Sequence, residues 1–409
     1  MNKLPEGWIF FELGEITTIA IGKTPPRGIE RYFKGDKIWL SIRDLQELEI
    51  DNSKEKLTEE AVKRYNINLV KKGTLLMSFK LTLGKMAFAK TDLYTNEAIA
   101  ALPIKSSYLK KINSKFLYYS LQYIDLEGEV DNAVKGKTLN KEKLKNLKIP
   151  IAPIAEQKEI VTLLDMAFHK LNLASTRTNE SMWKLRQMEV SILNNIFESN
   201  NSNWKQFKLS EKFKLHNGRA YNRNELLTEG KYKVIRIQNL NGGENWYYSD
   251  MELGKEKYCE NGDLLYSWSG TPGTSFGAFI WKREKAIFHY HIWRVELDQD
   301  LDKNFAFYLL KHVTDMAISQ SHGVTGMMHI SKGKMENLTI KIPEINEQKR
   351  IVRYLDQTTA KNSELLKYYQ TKLKAIQDLK SSILNSAFKG ELRNSDEFVK
   401  QQQRVYDAV

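Results

Sequence analysis

Apolar residues recur at intervals of three and four along two long stretches of the chain. The stripe of the first stretch consists of Ile160, Leu164, Leu171, Met182, Leu185, Met188, Ile192 and Ile196. The stripe of the second consists of Ile351, Leu355, Leu366, Tyr369, Leu373, Ile376, Leu379 and Ile383. Neither stretch contains Pro or Gly, as an uninterrupted helix requires. A narrow apolar stripe with polar flanks predicts two long helices that pair along their length.

The two predicted helices are copies of one another. Glu156-Gln157-Lys158 opens the first and Glu347-Gln348-Lys349 opens the second, and the match continues without a gap to Phe197 and Phe388. Each helix would be roughly 60 Å long at 1.5 Å per residue, and a helix this long and polar needs a partner for its apolar stripe. The simplest partner is the other copy. Two core helices that are similar by chance are the alternative, which a gapless match of this length disfavours.

The stretches before the two helices also follow a common plan. Short β-rich runs separated by turn residues indicate mixed α/β structure in both. The segment from Gly73 to Phe79 corresponds to the segment from Gly262 to Trp268, whereas the loops differ between the halves. A shared scaffold with different loops is typical of two binding modules for two different targets.

These patterns predict an α+β chain. Two pseudo-repeated globular α/β domains are separated by two long helices that pack as an antiparallel coiled coil. The predicted bounds are 1–150 for the first domain, 151–198 for the central helix, 199–341 for the second domain, 342–392 for the C-terminal helix and 393–409 for a polar tail.

Composition narrows the class of function. The formal net charge is +13, and most of the excess lies in the two globular stretches. A basic balance of this size suits a polyanion such as nucleic acid, and a soluble basic protein without such a partner is the alternative. Cys259 is the only cysteine, which argues against a disulfide framework and a thiol metal cluster. Without a signal peptide or an apolar run of membrane-spanning length, the chain is expected to be cytoplasmic.

Several segments of the chain partly match catalytic motifs, and none of the matches is complete. Gly22-Lys23-Thr24 and Gly136-Lys137-Thr138 lack the earlier glycine of a phosphate-binding loop. Thr24-Pro25-Pro26-Arg27 lacks both the acceptor and the stacking ring of the adenine methyltransferase motif. Glu156-Gln157-Lys158 opens a helix, whereas the Glu-x-Lys of nucleases lies on a strand beside a metal-binding aspartate. His289-Tyr290-His291 has no third metal ligand nearby. The chain is therefore predicted not to be an enzyme.

The chain resembles, over nearly its whole length, the specificity subunits of type I restriction–modification systems. The most specific similarities are the two Glu-Gln-Lys helix openings after proline and the two helix ends, Ser191 to Phe197 and Ser382 to Phe388, the second followed by Gly390-Glu391-Leu392. The similar segments inside the globular halves are Gly22 to Pro25, Trp39 to Leu45, Gly262 to Ser267, Gly270 to Gly273 and Phe276 to Ala278.

The resemblance implies a non-catalytic DNA-recognition subunit. Each half would be a target recognition domain for one part of a split site in double-stranded DNA. The helices would set the spacer between the parts and dock two modification subunits, which carry S-adenosylmethionine and methylate adenine. Separate restriction subunits would use ATP and Mg to translocate and cut, so no cofactor is expected on this chain. Asn96-Glu97-Ala98-Ile99 and His289-Tyr290-His291-Ile292 do not match, so base-reading roles cannot be transferred between the halves.

The alternative is a stand-alone DNA-binding regulator without enzyme partners. Aromatic residues outside the helix seam distinguish the two hypotheses, because a docking scaffold needs apolar positions that the helix pair does not use. Phe168, Trp183 and Tyr368 are the predicted partner-docking residues.

Side-chain chemistry suggests which residues contact DNA. Arg and Lys bind phosphates or guanine edges, and Asn and Gln bind adenine. The predicted DNA-contacting residues are Lys23, Thr24, Arg27, Arg31, Arg43, Lys80 and Lys85 in the first half, and Arg219, Tyr221, Arg223, Arg236, Gln238, Asn239, Ser269, Thr271 and His291 in the second.

Overall fold

The computed structural model describes residues 4–124, 126, 131–133, 136–199, 203–271, 274–319 and 328–393. Residues 394–409 of the predicted polar tail lie outside this part of the chain. Pro272 and Gly273, from the family-similar segment Gly270 to Gly273, lie outside it as well. The chain forms two compact units. Residues 1–177 with 371–409 make up the first, and residues 178–370 make up the second. Each long helix therefore contributes to both units.

The globular part of the first unit is a set of small, mostly antiparallel sheets with short helices. Its strands are β1 Ile9–Glu12, β2 Ala20–Ile21, β3 Lys37–Leu40, β4 Glu49–Ile50, β5 Glu55–Leu57, β6 Leu75–Ser78, β7 Met86–Ala89, β8 Tyr94–Thr95, β9 Ile99–Leu102, β10 Asp131–Ala133, β11 Gly136–Thr138 and β12 Lys148–Ile151. Its helices are α1 Leu13–Ile16, α2 Glu59–Arg64, α3 Ser114–Tyr123 and α4 Lys141–Lys145. Five strands form the sheet β2-β9-β6-β7-β4, and three form β5-β3-β8.

The globular part of the second unit follows a similar plan. Its strands are β13 Lys205–Lys208, β14 Phe213–Asn217, β15 Tyr232–Ile235, β16 Tyr247–Ser249, β17 Tyr258–Cys259, β18 Leu264–Ser267, β19 Ser269–Gly270, β20 Gly277–Ile280, β21 Ala286–Phe288, β22 Ile292–Leu297, β23 Met328–His329 and β24 Thr339–Ile342. Its helices are α6 Leu209–Lys212, α7 Ile237–Leu240, α8 Lys303–Ser319 and α9 Lys332–Glu336. The main sheets have the orders β14-β22-β18-β20 and β16-β15-β21-β17.

The two long helices are α5 Ile154–Phe197 and α10 Ile345–Phe388, each of 44 residues. Their pairing is antiparallel, as predicted. In the first unit, Leu164 from the beginning of α5 shares a core with Ile383 from the end of α10. In the second unit, Leu193 from the end of α5 shares a core with Leu355 from the beginning of α10. Met188 does not belong to the buried seam, because its side chain is 44% exposed.

The last residue of each long helix anchors one globular part. Phe388, at the end of α10, stacks on Tyr123 at 4.9 Å between ring centroids and lies 5.8 Å from Trp8. In the second unit, Phe197 stacks on His312 at 5.3 Å. Large aromatic rings contribute much of the buried apolar area of a core, which explains the occurrence of Phe at both helix ends.

The glutamine of each Glu-Gln-Lys opening fixes the beginning of its helix. The amide group of Gln157 donates hydrogen bonds to the carbonyl oxygens of Lys111 and Ala152, at 2.9 and 2.7 Å, and its Oε1 accepts one from the backbone N–H of Asn113 at 2.8 Å. Gln348 makes the same three kinds of bond in the second unit, with Asp300, Pro343 and Asp302. Both glutamines are fully buried. The repeated motif therefore joins each helix to its own globular part.

The variant Gln157→Glu is expected to destabilise the first unit. A carboxylate cannot donate to the two carbonyl oxygens, and burial of its charge adds a further cost, so the loss is about 3 kcal/mol. Urea unfolding followed by circular dichroism measures the free energy of unfolding. The control is Gln377→Glu, since Gln377 is an exposed glutamine of α10 in the same unit. Equal stability of the two variants would contradict a clamping role for Gln157.

Candidate nucleic-acid interface

A close backbone approach positions the first predicted DNA-contacting residues. A Cβ atom on Gly22 would lie 2.0 Å from the carbonyl oxygen of Thr95, so only glycine allows the loop to pass there. The next residue, Lys23, donates its backbone N–H to the same oxygen at 2.9 Å. The hydroxyl of Thr24 donates to the carboxylate of Glu97. Lys23 and Thr24 thus lie beside the segment Asn96-Glu97-Ala98-Ile99, which does not match its counterpart in the second half.

The second half contains the same construction with different side chains. A Cβ atom on Gly218 would lie 2.2 Å from the carbonyl oxygen of His289. Arg219 donates its backbone N–H to Phe288 at 3.1 Å and accepts one from Tyr290 at 3.0 Å. Arg219 therefore corresponds to Lys23. Each half places a basic residue next to the segment that differs between the halves, residues 96–99 in the first and 289–292 in the second.

Besides Thr24, three predicted contacts of the first half have protein partners. Arg27 donates to Glu55 at 2.5 Å and stacks over Phe33, Arg31 donates to Glu60 at 3.2 Å, and Lys23 donates from Nζ to the carbonyl of Tyr65 at 3.2 Å. The exposed ion pairs of Arg27 with Glu55 and of Arg31 with Glu60 contribute little to stability, so a phosphate can replace either carboxylate at low cost. These residues therefore remain candidates for phosphate contacts.

The remaining predicted contacts of the first half lie in two loops. Arg43 is exposed in the turn after β3, where Ser41 and Asp44 form a capping box. Lys80 and Lys85 lie in the loop between β6 and β7, and Lys80 packs its ammonium group 5.3 Å from the ring centroid of Phe79. The structure thus brings Lys80 and Lys85 into one loop.

Side-chain contacts fix the position of the Arg219 guanidinium group in the second half. This group donates two hydrogen bonds to Glu225, at 3.0 and 2.7 Å, and stacks over the ring of Tyr221. The Tyr221 hydroxyl is buried and has no hydrogen-bond partner among the described residues, and burial raises its pKa. Arg223 is exposed in the short turn Arg223–Glu225. Tyr221 is the member of this group that has an unsatisfied polar atom.

At alternate positions of a continuing strand, Arg236 and Gln238 would project from one face, and the structure contradicts this prediction. Strand β15 ends at Ile235, and Gln238 lies in the short helix α7. Asn239 causes the change, because its Oδ1 accepts the backbone N–H of Arg236 at 3.0 Å and closes a turn. The Asn239 amide also donates to Gly243 and Asn245, and the residue is buried, so it holds the loop.

Arg236 and Gln238 nevertheless line the same pocket. This pocket has a volume of about 570 Å³ and is also lined by Trp246 and Tyr247. The guanidinium carbon of Arg236 lies 4.2 Å from the centroid of Tyr247, and the buried Nε of Arg236 has no hydrogen-bond partner in the part of the chain that the structure describes. Planar donors beside aromatic rings are suited to a base edge or a phosphate.

Replacement of Arg236 or Gln238 by Ala is expected to reduce specificity more than overall affinity. Loss of a base contact costs about 1–3 kcal/mol at one base pair. Binding should be measured at several salt concentrations with duplexes that differ at single positions. A uniform loss over all sequences, with a shallower salt dependence, would instead identify these residues as phosphate contacts.

Sequence reasoning missed most of an aromatic cluster around Trp268. The Trp268 ring lies 5.2 Å from His291, 6.1 Å from Tyr290 and 6.2 Å from His329. Burial and neighbouring charges lower the pKa of His289 to about 4, and burial also lowers the pKa of His291. Both rings are therefore neutral at pH 7 and can donate or accept a hydrogen bond. The run of aromatic rings from His289 to His291 was the feature of the sequence that could have indicated this cluster.

The last two predicted contacts of the second half lie next to this cluster in sequence. Ser269 is completely buried, and its hydroxyl has no hydrogen-bond partner within the described ranges. Thr271 is exposed, and its backbone N–H donates to the Ser275 hydroxyl at 2.9 Å. Only Thr271 of the two presents its side chain to solvent.

The three predicted docking residues differ in exposure. Phe168 packs 5.6 Å from Tyr119 against the core of the first unit. Trp183 and Tyr368 are 62% and 52% exposed. Trp183 and Tyr368 therefore remain candidates for partner contacts.

Two properties of the described residues bear on other functions. No helix in that part of the chain is both long and apolar enough to cross a membrane. Among the same residues, no group of three or more His, Cys, Asp or Glu side chains could hold a metal ion.

Comparison with known proteins matches both halves of the chain to one family model. This model, described as the type I restriction modification DNA specificity domain, matches residues 5–180 and again 201–375. A segment of 191 residues is 29% identical to the type I restriction enzyme MjaIX specificity subunit of Methanocaldococcus jannaschii and covers 45% of this chain and 43% of that protein.

Other similarities extend along the whole chain. The type I restriction enzyme EcoKI specificity subunit of Escherichia coli is 23% identical over an alignment of 429 residues, gaps included, which covers 96% of this chain and 90% of that protein. A chain from a solved type I restriction–modification system has a TM-score of 0.71 at 17% identity and covers 96% of this chain and 100% of its own length. This structural likeness shows the shared fold.

Proposed function

Because this chain belongs to the type I restriction modification DNA specificity family, we propose that each of its globular halves reads one part of a bipartite DNA site. The observation that carries the proposal is the match of one family model to each half, on a shared frame with different loops. Lys23 and Arg219 follow equivalent glycines and adjoin segments of unlike sequence. Equivalent frames with different contact residues suit two different half-sites.

The long helices would connect the readers and dock modification subunits. Trp183 and Tyr368 support this role, because helices that only pair with each other have no need of exposed aromatic rings. Two modification subunits would bind S-adenosylmethionine and methylate adenine. Restriction subunits would bind ATP and Mg and cut the DNA. The chain itself would contribute sequence recognition and no reacting group.

Reconstitution tests the proposal. The chain is expressed in a methylation-free host with the modification subunits encoded beside it, and adenine methylation is mapped by sequencing. We expect methylation in a bipartite motif from the complex. We expect neither methylation with S-adenosylmethionine nor cleavage with Mg from the purified chain alone.

Two other outcomes would overturn the proposal in different ways. Turnover by the purified chain would make it an enzyme. Tight binding to a bipartite motif that modification subunits neither join nor methylate would make it a stand-alone regulator.

A further inference from the structure

The loop between β6 and β7, residues 79–85, presents an apolar side chain at its tip. Leu81 is 64% exposed, more than any other large hydrophobic residue that the structure describes as exposed. Its φ angle is +65°, in the left-handed region that residues with a Cβ atom rarely adopt. The loop thus holds a leucine in an unfavourable conformation and exposes it to solvent.

The shared scaffold does not require a leucine at this position. The corresponding loop of the second half, residues 268–276, is two residues longer and none of its described residues has a positive φ angle, so the conformation of Leu81 is not part of the shared frame. A glycine would adopt the observed φ without strain. A strained residue that the fold does not need is a reason to look for a function.

Hydrogen bonds hold the loop in shape. The hydroxyl of Ser78 donates to the carbonyl oxygen of Thr82 at 2.6 Å and accepts the backbone N–H of Lys85 at 3.0 Å. The backbone N–H of Gly84 donates to the carbonyl oxygen of Ser78 at 2.9 Å. The exposure of Leu81 therefore belongs to an ordered loop, and ordering before binding lowers the entropic cost of binding.

The charge around this tip favours a nucleic acid as the partner. Residues 79–85 contain Lys80 and Lys85 and no acidic residue, whereas the corresponding segment 268–276 contains no charged residue at all. Lysines bind phosphates, and an apolar side chain between them can enter the base stack. Proteins that kink DNA use exposed Leu, Ile, Met or Phe side chains in this way.

We propose that Leu81 is an apolar wedge that inserts between two stacked base pairs of the half-site bound by the first globular half. This inference rests on the proposed function. The wedge would deform the DNA at that step, so the sequence preference there would follow from base-pair deformability rather than from hydrogen bonds.

The test uses Leu81→Asn and Leu81→Gly in the complex with modification subunits. Both residues tolerate positive φ, so the loop conformation is retained while the apolar wedge is lost. The probe is a duplex that carries the motif methylated by the wild-type complex, with 2-aminopurine placed at each step of the first half-site. Leu109→Ala is the control, because Leu109 is 63% exposed in the same half and has an ordinary backbone conformation.

We expect both Leu81 variants to bind at least about tenfold more weakly with an unchanged salt dependence, because no charge is removed. Wild type and Leu109→Ala should increase 2-aminopurine fluorescence at one step, and the Leu81 variants should not. Leu81→Met should retain binding, and the thermal unfolding temperature of the Asn and Gly variants should not fall.

Three results would overturn the wedge. Unchanged affinity and fluorescence in Leu81→Asn would exclude insertion, although the wild-type complex would still bind and methylate its motif. A changed salt dependence would show that the substitutions disturb Lys80 and Lys85 instead. Loss of binding in Leu81→Met with a normal unfolding temperature would show that an apolar side chain is not sufficient. Failure of the wild-type complex to bind any motif would instead refute the proposed function.

Discussion

Replacement of residues 1–150 by the equivalent residues of another family member is expected to change one half of the methylated DNA motif and leave the other half intact. The physical reason is that the predicted DNA-contacting residues of the first half are fixed by local contacts. Lys23 and Thr24 are placed by the backbone of Thr95 and the side chain of Glu97, all within the exchanged segment.

The exchange must preserve the junction with the long helices. The first unit contains the end of α10, and Phe388 packs against Trp8 and Tyr123 from the exchanged segment. The donor is therefore chosen with aromatic residues at both positions. Methylome sequencing of cells that carry the hybrid and the modification subunits gives the result. The matched control exchanges residues 199–341, which should alter the other half of the motif. A simultaneous change of both halves in either hybrid would show that the halves do not read independently.

The long-range organisation was predictable because repetition is a strong signal. Two gapless copies of one helix pattern predicted the paired helices, and short β-rich runs between turn residues predicted the mixed α/β structure of both globular parts. Glu156 and Glu347, which open the two predicted helices, lie in the first turns of α5 and α10, directly after the segments that contain Pro153 and Pro343. The buried role of Gln157 was not predicted, because nothing in the sequence shows which member of Glu-Gln-Lys faces the globular part.

The candidate interface was less predictable from the sequence. Its loops are shaped by side chain-to-backbone hydrogen bonds and by contacts between residues distant in sequence, and hydrophobic periodicity indicates neither. Asn239 was predicted to contact DNA, but it competes for the backbone N–H of Arg236 and turns the chain into a short helix. His329 lies close to Trp268 only after folding. Leu81 gave no sequence signal, since a leucine between lysines is unremarkable until its φ angle and exposure are known.

Insertion of four residues into each long helix is expected to lengthen the spacer of the recognised DNA site. The insertion points are Ser175 to Thr178 in α5 and the neighbourhood of Lys367 in α10, close to where the chain passes from one compact unit to the other. Four residues add about 6 Å of helix and make slightly more than one turn, about 400°, so the apolar stripes nearly face each other again. DNA advances about 3.4 Å per base pair, so the spacer should grow by about one or two base pairs with both half-sites unchanged.

The control inserts two residues at each of the same points. Two residues rotate the rest of a helix by about 200°, which turns its apolar stripe away from its partner, so this variant should lose methylation. Methylome sequencing of both variants decides the matter. A four-residue variant that is active on the original spacer would mean that the insertion loops out or that the helices dock partners without setting the distance. An active variant with a longer spacer and intact half-sites would identify the paired helices as the element that measures the DNA site.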